Sequence, residues 1–279
     1  MIGKIKGFIK NPKNKIKYLM SEVSQRRSAK RYRDLDKGIY YTDNERRLLE
    51  LKDQHAGKRC FIIGNGPSLN HLDLTLLKNE FTFGVNAIYT NYDKMGFYPS
   101  FYVVEDIFVA EDRAPEINAY NHGKKFFGNY LKYCLQENKD TYWMNVVLYG
   151  QYKDFPRFSE FAAKEIYAGG TVSYICMQLA FYLGFTEVYL VGFDHSYHIP
   201  KEALLKGTSI TSTGDDPNHF KPDYFGKGKR WHDPQVDRME EAYKKAKMHY
   251  EKNGRVIYNA TYGGHLEVFE RKDYKTLFS

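Results

Sequence analysis

The feature that most constrains the fold is Arg59-Cys60-Phe61-Ile62-Ile63 running straight into Gly64-Asn65-Gly66-Pro67-Ser68-Leu69. A short apolar run of strand type breaks into a glycine-rich turn. A buried parallel strand ends this way when its tip must come close to a ligand. Glycines let the backbone turn and approach, and Ser68 can cap the helix that follows. The motif points to a nucleotide or phosphate site at the C-terminal edge of a Rossmann-like sheet. It is not the full dinucleotide fingerprint, because Leu69 stands where the third glycine would be. No Gly-Lys-Ser/Thr follows to make a P-loop. The bland alternative is a strand-to-helix turn that merely needs glycine, so the functional reading depends on what else the chain carries.

Short apolar runs recur downstream. The pattern predicts strands at 59–63, 82–85, 101–104, 125–127, 145–149, 187–191 and 255–258. It predicts a capped helix at 43–52 and a short one around 74–77. A long apolar helix at 171–183 is stopped by Gly184, and an amphipathic one at 236–253 by Gly254. Strand and helix signals in this alternation predict an α/β fold: a Rossmann-like, mostly parallel sheet with helices on both faces. Residues 195–233 show no periodicity and are rich in Gly, Pro, Lys, Asp and aromatics. A structureless stretch of that length reads as a lid or binding loop. The domain reading is a basic arm at 1–34, then a transferase-type domain at 35–279 with its lid at 195–233.

In such sheets ligands lie outside the carboxyl ends of the strands. The strand ends carry Gly64 to Ser68, Asn86, Glu105-Asp106, Gly192-Phe193-Asp194-His195 and Asn259. Together they can surround one polar ligand such as a nucleotide sugar. Gly169-Gly170-Thr171 opens the apolar helix, where exposed N–H groups and the helix dipole favour an anion; simple capping by Thr171 is the alternative. Asp194 can hold a ribose hydroxyl, coordinate a divalent ion or cap a turn. Asp106 belongs to a carboxylate pair of the kind that holds Mg²⁺ between phosphates. Yet no Asp-x-Asp is present, and neighbours on an extended strand point to opposite faces. No dedicated metal site is expected, and Asp112, Asp215 and Asp216 read as solvated.

The lid holds His198, His219 and His232 with Tyr197, Tyr224 and Trp231. Attack by a sugar hydroxyl needs a base near neutral pH, and histidine serves best. His232, just ahead of the helix at 236–253, is the first choice, with Asp233 as its orienting carboxylate. His219 is the competitor, and a surface-loop histidine is the alternative for either. No Gly-x-Ser-x-Gly elbow and no reactive-cysteine setting is present, which disfavours a nucleophilic triad.

The net charge of +8 is unevenly placed. Residues 1–34 hold eleven Lys and Arg against Glu22 and Asp34, a net +9, and the remainder sums to −1. Nucleic-acid readers carry basicity on the folded domain, so no nucleic-acid partner is expected. A basic segment interleaved with Ile2, Ile5, Phe8, Ile9, Ile16, Tyr18, Leu19 and Met20 reads as a membrane-surface helix, or else as a solvated arm. No run is long and clean enough to span a bilayer, and no secretory h-region is visible. Cys60, Cys134 and Cys176 make neither a disulfide framework nor metal spacing. The expectation is a cytoplasmic protein, peripheral on the inner face of the cell membrane.

The ordered set of Gly64-Asn65-Gly66-Pro67-Ser68-Leu69, Asn86, Gly170-Thr171-Val172-Ser173 and Leu190-Val191-Gly192-Phe193-Asp194 resembles two related groups. One is the bacterial sialyltransferases of lipooligosaccharides. The other is a broad family related to flagellin-modifying motility-associated factors and to an archaeal 6-hydroxymethylpterin diphosphokinase. The resemblance runs from about residue 58 to 262. The sialyltransferase likeness implies a metal-independent enzyme using a CMP-linked sugar, with Asn65 and Asn86 on the donor. It also implies His232 as base and Tyr197 and Tyr224 near the donor phosphate. The acceptor would be a glycan or glycolipid. The chain departs from that group at Tyr167-Ala168-Gly169-Gly170-Thr171, which lacks the group's arginine. The pterin-kinase likeness implies diphosphate transfer from ATP with Mg²⁺, and Asp194 as a metal or substrate ligand.

Overall fold

The computed structural model describes residues 29–278. Thirteen strands follow in chain order: β1 Arg59–Ile63, β2 Thr82–Val85, β3 Phe101–Val104, β4 Lys124–Gly128, β5 Thr141–Met144, β6 Val146–Val147, β7 Ile166–Tyr167, β8 Glu187–Val191, β9 Leu204–Lys206, β10 Ser209–Thr211, β11 Arg230–His232, β12 Val256–Asn259 and β13 Glu270–Arg271. Eight of them form one sheet in the order β13-β12-β8-β1-β2-β3-β4-β5. Every pair in it is parallel. Parallel strands covered on both faces read as unbroken apolar runs, which is why Cys60-Phe61-Ile62-Ile63 and Val188-Tyr189-Leu190-Val191 are buried without alternation.

The chain enters at β1 and steps outward through β2 to β5. It then returns through helix Val172–Tyr182 and lays β8 on the other side of β1. The direction of winding therefore reverses between β1 and β8. A ligand crevice opens at such a reversal.

Helix Val172–Tyr182 is buried at every position, as expected of a helix apolar all round. Its one amide side chain, Gln178, is fully satisfied. Oε1 accepts from Ser159 N at 2.9 Å and Tyr167 N at 3.0 Å, while Nε2 donates to Tyr167 O at 2.8 Å and Tyr174 O at 3.0 Å. That network fixes the segment leading into Gly169-Gly170. Aromatic rows bind neighbouring strands: Phe61 stacks on Tyr189 at 5.2 Å, Tyr189 on Tyr258 at 5.3 Å, and Phe83 meets Phe101 at 4.6 Å.

Three expectations need correction. The strand expected at 145–149 is instead β5 at Thr141–Met144, in register with β4 through Phe126 and Tyr142. Asn145 leaves the ladder because its side chain donates to Tyr32 Oη at 2.9 Å and Lys164 O at 3.0 Å. Only Val146–Val147 then pairs, with β7. The lid at 195–233 is not structureless. It contains the antiparallel sheet β9-β10-β11, whose strands of three residues are too short to show a period. Asp112 and Asp216 are not solvated: Asp112 pairs with Arg230, and Asp216 is 8 % exposed. The membrane-surface reading of residues 1–34 lies outside the described residues up to residue 28. The part that is described, helix Ala29–Asp36, docks on the body through Arg31–Glu45 at 2.9 Å and buried Leu35.

The β1–β8 contact leaves no room for a side chain at Gly64: a Cβ there would lie 2.5 Å from Gly192 O. Gly64→Ala should cost about 1–3 kcal/mol, the usual range for overpacking. A fall in the urea midpoint with an unchanged slope checks it; no fall would show that the two backbones can part.

Candidate active site

A cleft of about 780 Å³ lies at the carboxyl ends of the strands, beneath the lid sheet. Its floor is the β1–β8 seam. Gly64 N donates to Val191 O at 2.8 Å and Gly66 N to Gly192 O at 3.0 Å, so two turns from distant parts of the chain lock together. Asp194 accepts from Ser68 N at 3.1 Å and from Ser68 Oγ at 2.6 Å. A Cβ on Gly66 would come within 1.8 Å of its Oδ2. Asp194 borders the cleft, but its carboxylate is spent on anchoring the turn Pro67–His71. Of the other expected residues in the glycine turn, Gly64, Asn65 and Gly66 line the cleft. Ser68 is buried behind it, and Pro67 borders a smaller cavity of about 290 Å³ beside His198 and His265.

Asn65 and Asn86 stand side by side over this floor. Asn65 Nδ2 donates to Val85 O at 3.2 Å and to Tyr224 Oη at 2.8 Å. Tyr224 Oη also accepts from Ala87 N at 3.3 Å. Tyr224 is thus buried behind the wall, 1 % exposed, and braces Asn65 rather than lining the cleft. Asn86 sits in the left-handed region at φ 53°, pinned by Asn86 N to Val103 O and by Tyr102 Oη to its own carbonyl at 2.5 Å. Asparagine tolerates that conformation better than most residues. The Oδ1 atoms of both asparagines are buried and unpaired among the described residues. Two unpaired acceptors on a cleft wall suit N–H or O–H donors of a ligand.

The opposite wall comes from β3 and the lid. Strand β3 ends at Val104, and Glu105 and Asp106 both line the cleft instead of falling on opposite faces. Asp106 caps helix Ile107–Asp112, with Oδ1 accepting from Phe108 N at 2.7 Å and Val109 N at 3.0 Å. Its Oδ2 stands 2.7 Å from Nδ1 of His232. Asp106, not Asp233, orients this histidine; Asp233 instead accepts from Gln235 Nε2 at 2.9 Å. The imidazole lies flat on Phe108 at 4.3 Å. At the other end of the same short helix, Asp112 takes Arg230 Nε at 3.0 Å, and Arg230 also reaches Glu111 at 2.9 Å. Strand β11 is therefore clamped along the helix at both ends, which fixes His232 within the lid sheet.

His219 also lines the cleft and has its own carboxylate, Asp216, at 2.7 Å, with its ring stacked on Tyr224 at 4.1 Å. His195 and Tyr197 complete the lid side, His195 with a positive φ of 52°. Gly170 at φ 84° and Thr171 bring the N-terminus of helix Val172–Tyr182 into the cleft, with Thr171 Oγ1 accepting from Ser173 N at 3.3 Å. The sequence reading missed Arg238, which lines the cleft from the first turn of helix Val236–Lys252. On an amphipathic helix an arginine reads as part of the solvated face, so only its place beside Gly170 singles it out.

Electrostatics separate the acidic wall into roles. Burial works against the charged form of His232, but the Asp106 charge and hydrogen bond, aided by Glu105, outweigh it and raise the pKa above the ordinary 6.5. Burial, then the neighbouring Asp106 charge, pushes Glu105 up to about 7. Asp106 is lowered although burial opposes it, because the His232 charge and hydrogen bond and the two backbone N–H groups favour the carboxylate. Among the described residues no three His, Cys, Asp or Glu side chains converge as metal ligands.

Tyr224→Phe would leave Ala87 N–H without its partner and release one of the two restraints on Asn65. The expected cost is about 1–3 kcal/mol, read from the denaturant midpoint. Unchanged stability would mean that water replaces the hydroxyl.

A family model described as 6-hydroxymethylpterin diphosphokinase MptE-like matches residues 10–200. No curated protein matches the chain. The matched residues include the glycine turn, Asn86, the Glu105-Asp106 pair, the Gly170-Thr171 turn and Asp194, but stop short of His219, His232 and Arg238. No helix among the described residues is long and apolar enough to cross a membrane. With more than half of its length matched, the chain belongs to the 6-hydroxymethylpterin diphosphokinase MptE-like family, a family named for a transferase.

Proposed function

We propose that the chain transfers a sugar from a nucleotide-activated donor, a CMP-sugar by preference, to a hydroxyl of a surface-glycan or glycolipid acceptor. The single observation that carries this reading is the Asp106–His232 pair, held at 2.7 Å across the cleft wall. With Nδ1 turned to the carboxylate, Nε2 is the atom that takes the acceptor's proton. The hydroxyl oxygen bonds to the anomeric carbon as the bond from that carbon to the donor phosphate breaks, and the nucleotide leaves as an anion. The unpaired oxygens of Asn65 and Asn86 suit the donor groups of a nucleoside. The positive end of helix Val172–Tyr182 suits the leaving phosphate. The basic arm would hold the enzyme near a lipid-linked acceptor at the inner face of the cell membrane.

The family description favours a second reading, ATP-dependent diphosphate transfer with Mg²⁺ to a small molecule such as a pterin. The donor set present does not fit a protein-held Mg²⁺. Asp106 is committed to His232 and a helix cap, and Asp194 to Ser68. We therefore favour the metal-independent reading.

Thermal shift with CMP, UDP and ATP, each with and without EDTA, separates the two readings. A shift by CMP or UDP that survives EDTA supports sugar transfer; an ATP shift that needs a divalent ion supports the alternative. His232→Ala should keep the nucleotide shift and lower turnover by about 10²–10⁴-fold. Turnover needs neutral His232, and its raised pKa keeps it protonated to higher pH. The wild-type rate should therefore climb through a midpoint above 6.5. Asp106→Asn should move that limb to lower pH while reducing the plateau, and Glu105→Gln should move it the same way by less. A limb unmoved by Asp106→Asn would remove His232 from the role of base.

A further inference from the structure

The geometry points to Arg238 as the residue that grips the donor's phosphate, forming an anion site between its guanidinium and the N-terminus of helix Val172–Tyr182. The inference rests on reading the cleft as a nucleotide-donor site and adds the group that holds the leaving anion.

Arg238 is the one Lys or Arg among the described residues that line the cleft. Its Nε is buried, and no acceptor among the described residues takes the proton. A buried donor without a partner is costly unless a ligand supplies the acceptor. The guanidinium lies over the Tyr149 ring at 4.6 Å, which holds its plane and leaves the N–H edge for an oxyanion. Beside it stands Gly170. A Cβ there would lie 3.0 Å from Nε, so glycine serves twice, admitting the φ of 84° and making room for the arginine. The next residues, Thr171 to Ser173, bring the positive helix end to the same spot.

Asn65 is an independent sign of a ligand. It is 9 % exposed and lines the same cleft with an unpaired Oδ1. A cation on one side and unpaired acceptors on the other fit a nucleoside phosphate, which offers an anion and hydrogen-bond donors together. The Arg238 charge also acts on Glu105 and His232, so the anion would be held close to the proposed base. Base and phosphate grip then belong to one segment, Trp231 to Arg238.

Inorganic pyrophosphate, titrated by calorimetry into the full chain, tests the site without needing the right nucleotide. Wild type should bind it, Arg238→Gln should bind roughly tenfold to a hundredfold more weakly, and Arg238→Lys should fall between. Melting temperatures establish that the variants fold. If Arg238→Gln does not fold, Arg238→Lys decides: a loss of several-fold supports the proposal and unchanged affinity overturns it. No binding by wild type, or equal binding by a folded Arg238→Gln, also overturns it. Pyrophosphate binding that depends on Arg238 in a protein that turns over no nucleotide sugar would keep the anion site and reject the sugar-transfer reading instead.

Discussion

The site depends on a backbone contact between β1 and β8. Gly64 and Gly66 donate to carbonyls of Val191 and Gly192, and neither glycine has room for a Cβ. That contact joins two chain segments that a whole half-sheet separates in sequence. It places the turn after β1 against the turn after β8 at the point where the winding reverses. Once the seam is closed, Asp194 lies within reach of Ser68, and the 3₁₀ turn after Gly66 is tied down. The rest of the cleft is built on this floor.

A second constraint acts through one short helix. Asp106 begins it and Asp112 ends it, and strand β11 grips both, by His232 and by Arg230. The carboxylate that caps the helix is also the one that charges the histidine. Partly buried, hydrogen-bonded carboxylates of this kind are costly to leave unpaired, so the lid sheet is held in place instead of hanging as a free flap. The lid loop is tied to the floor as well, through Phe220 N to Asn65 O and Asn70 Nδ2 to Phe220 O. The cleft walls therefore share restraints.

The cleft is divided by charge. Glu105 and Asp106 make the β3 wall acidic beside the histidine, while Gly170, Thr171 and Arg238 offer an electropositive corner. Unpaired acceptors on Asn65 and Asn86 lie along the floor. A ligand with one anionic end and several hydrogen-bond donors complements these regions.

The sequence by itself determined the sheet and the strand ends that border the cleft. Apolar runs ending in Gly64-Asn65-Gly66, Asn86, Glu105-Asp106 and Gly192-Phe193-Asp194 were legible because a parallel strand and its terminal turn are local features. Strand β5 and the lid sheet were not legible. Thr141–Met144 is preceded by a polar stretch, and strands of three residues carry no period. Only the tertiary structure decided which carboxylate serves which side chain. His232 takes Asp106, 126 residues away, over its sequence neighbour Asp233. Asp194 turns to Ser68, Tyr224 supports Asn65 from behind, and Arg238 faces inward. Pairings of that kind depend on distances of a few ångströms between segments remote in the chain, and no local pattern encodes them.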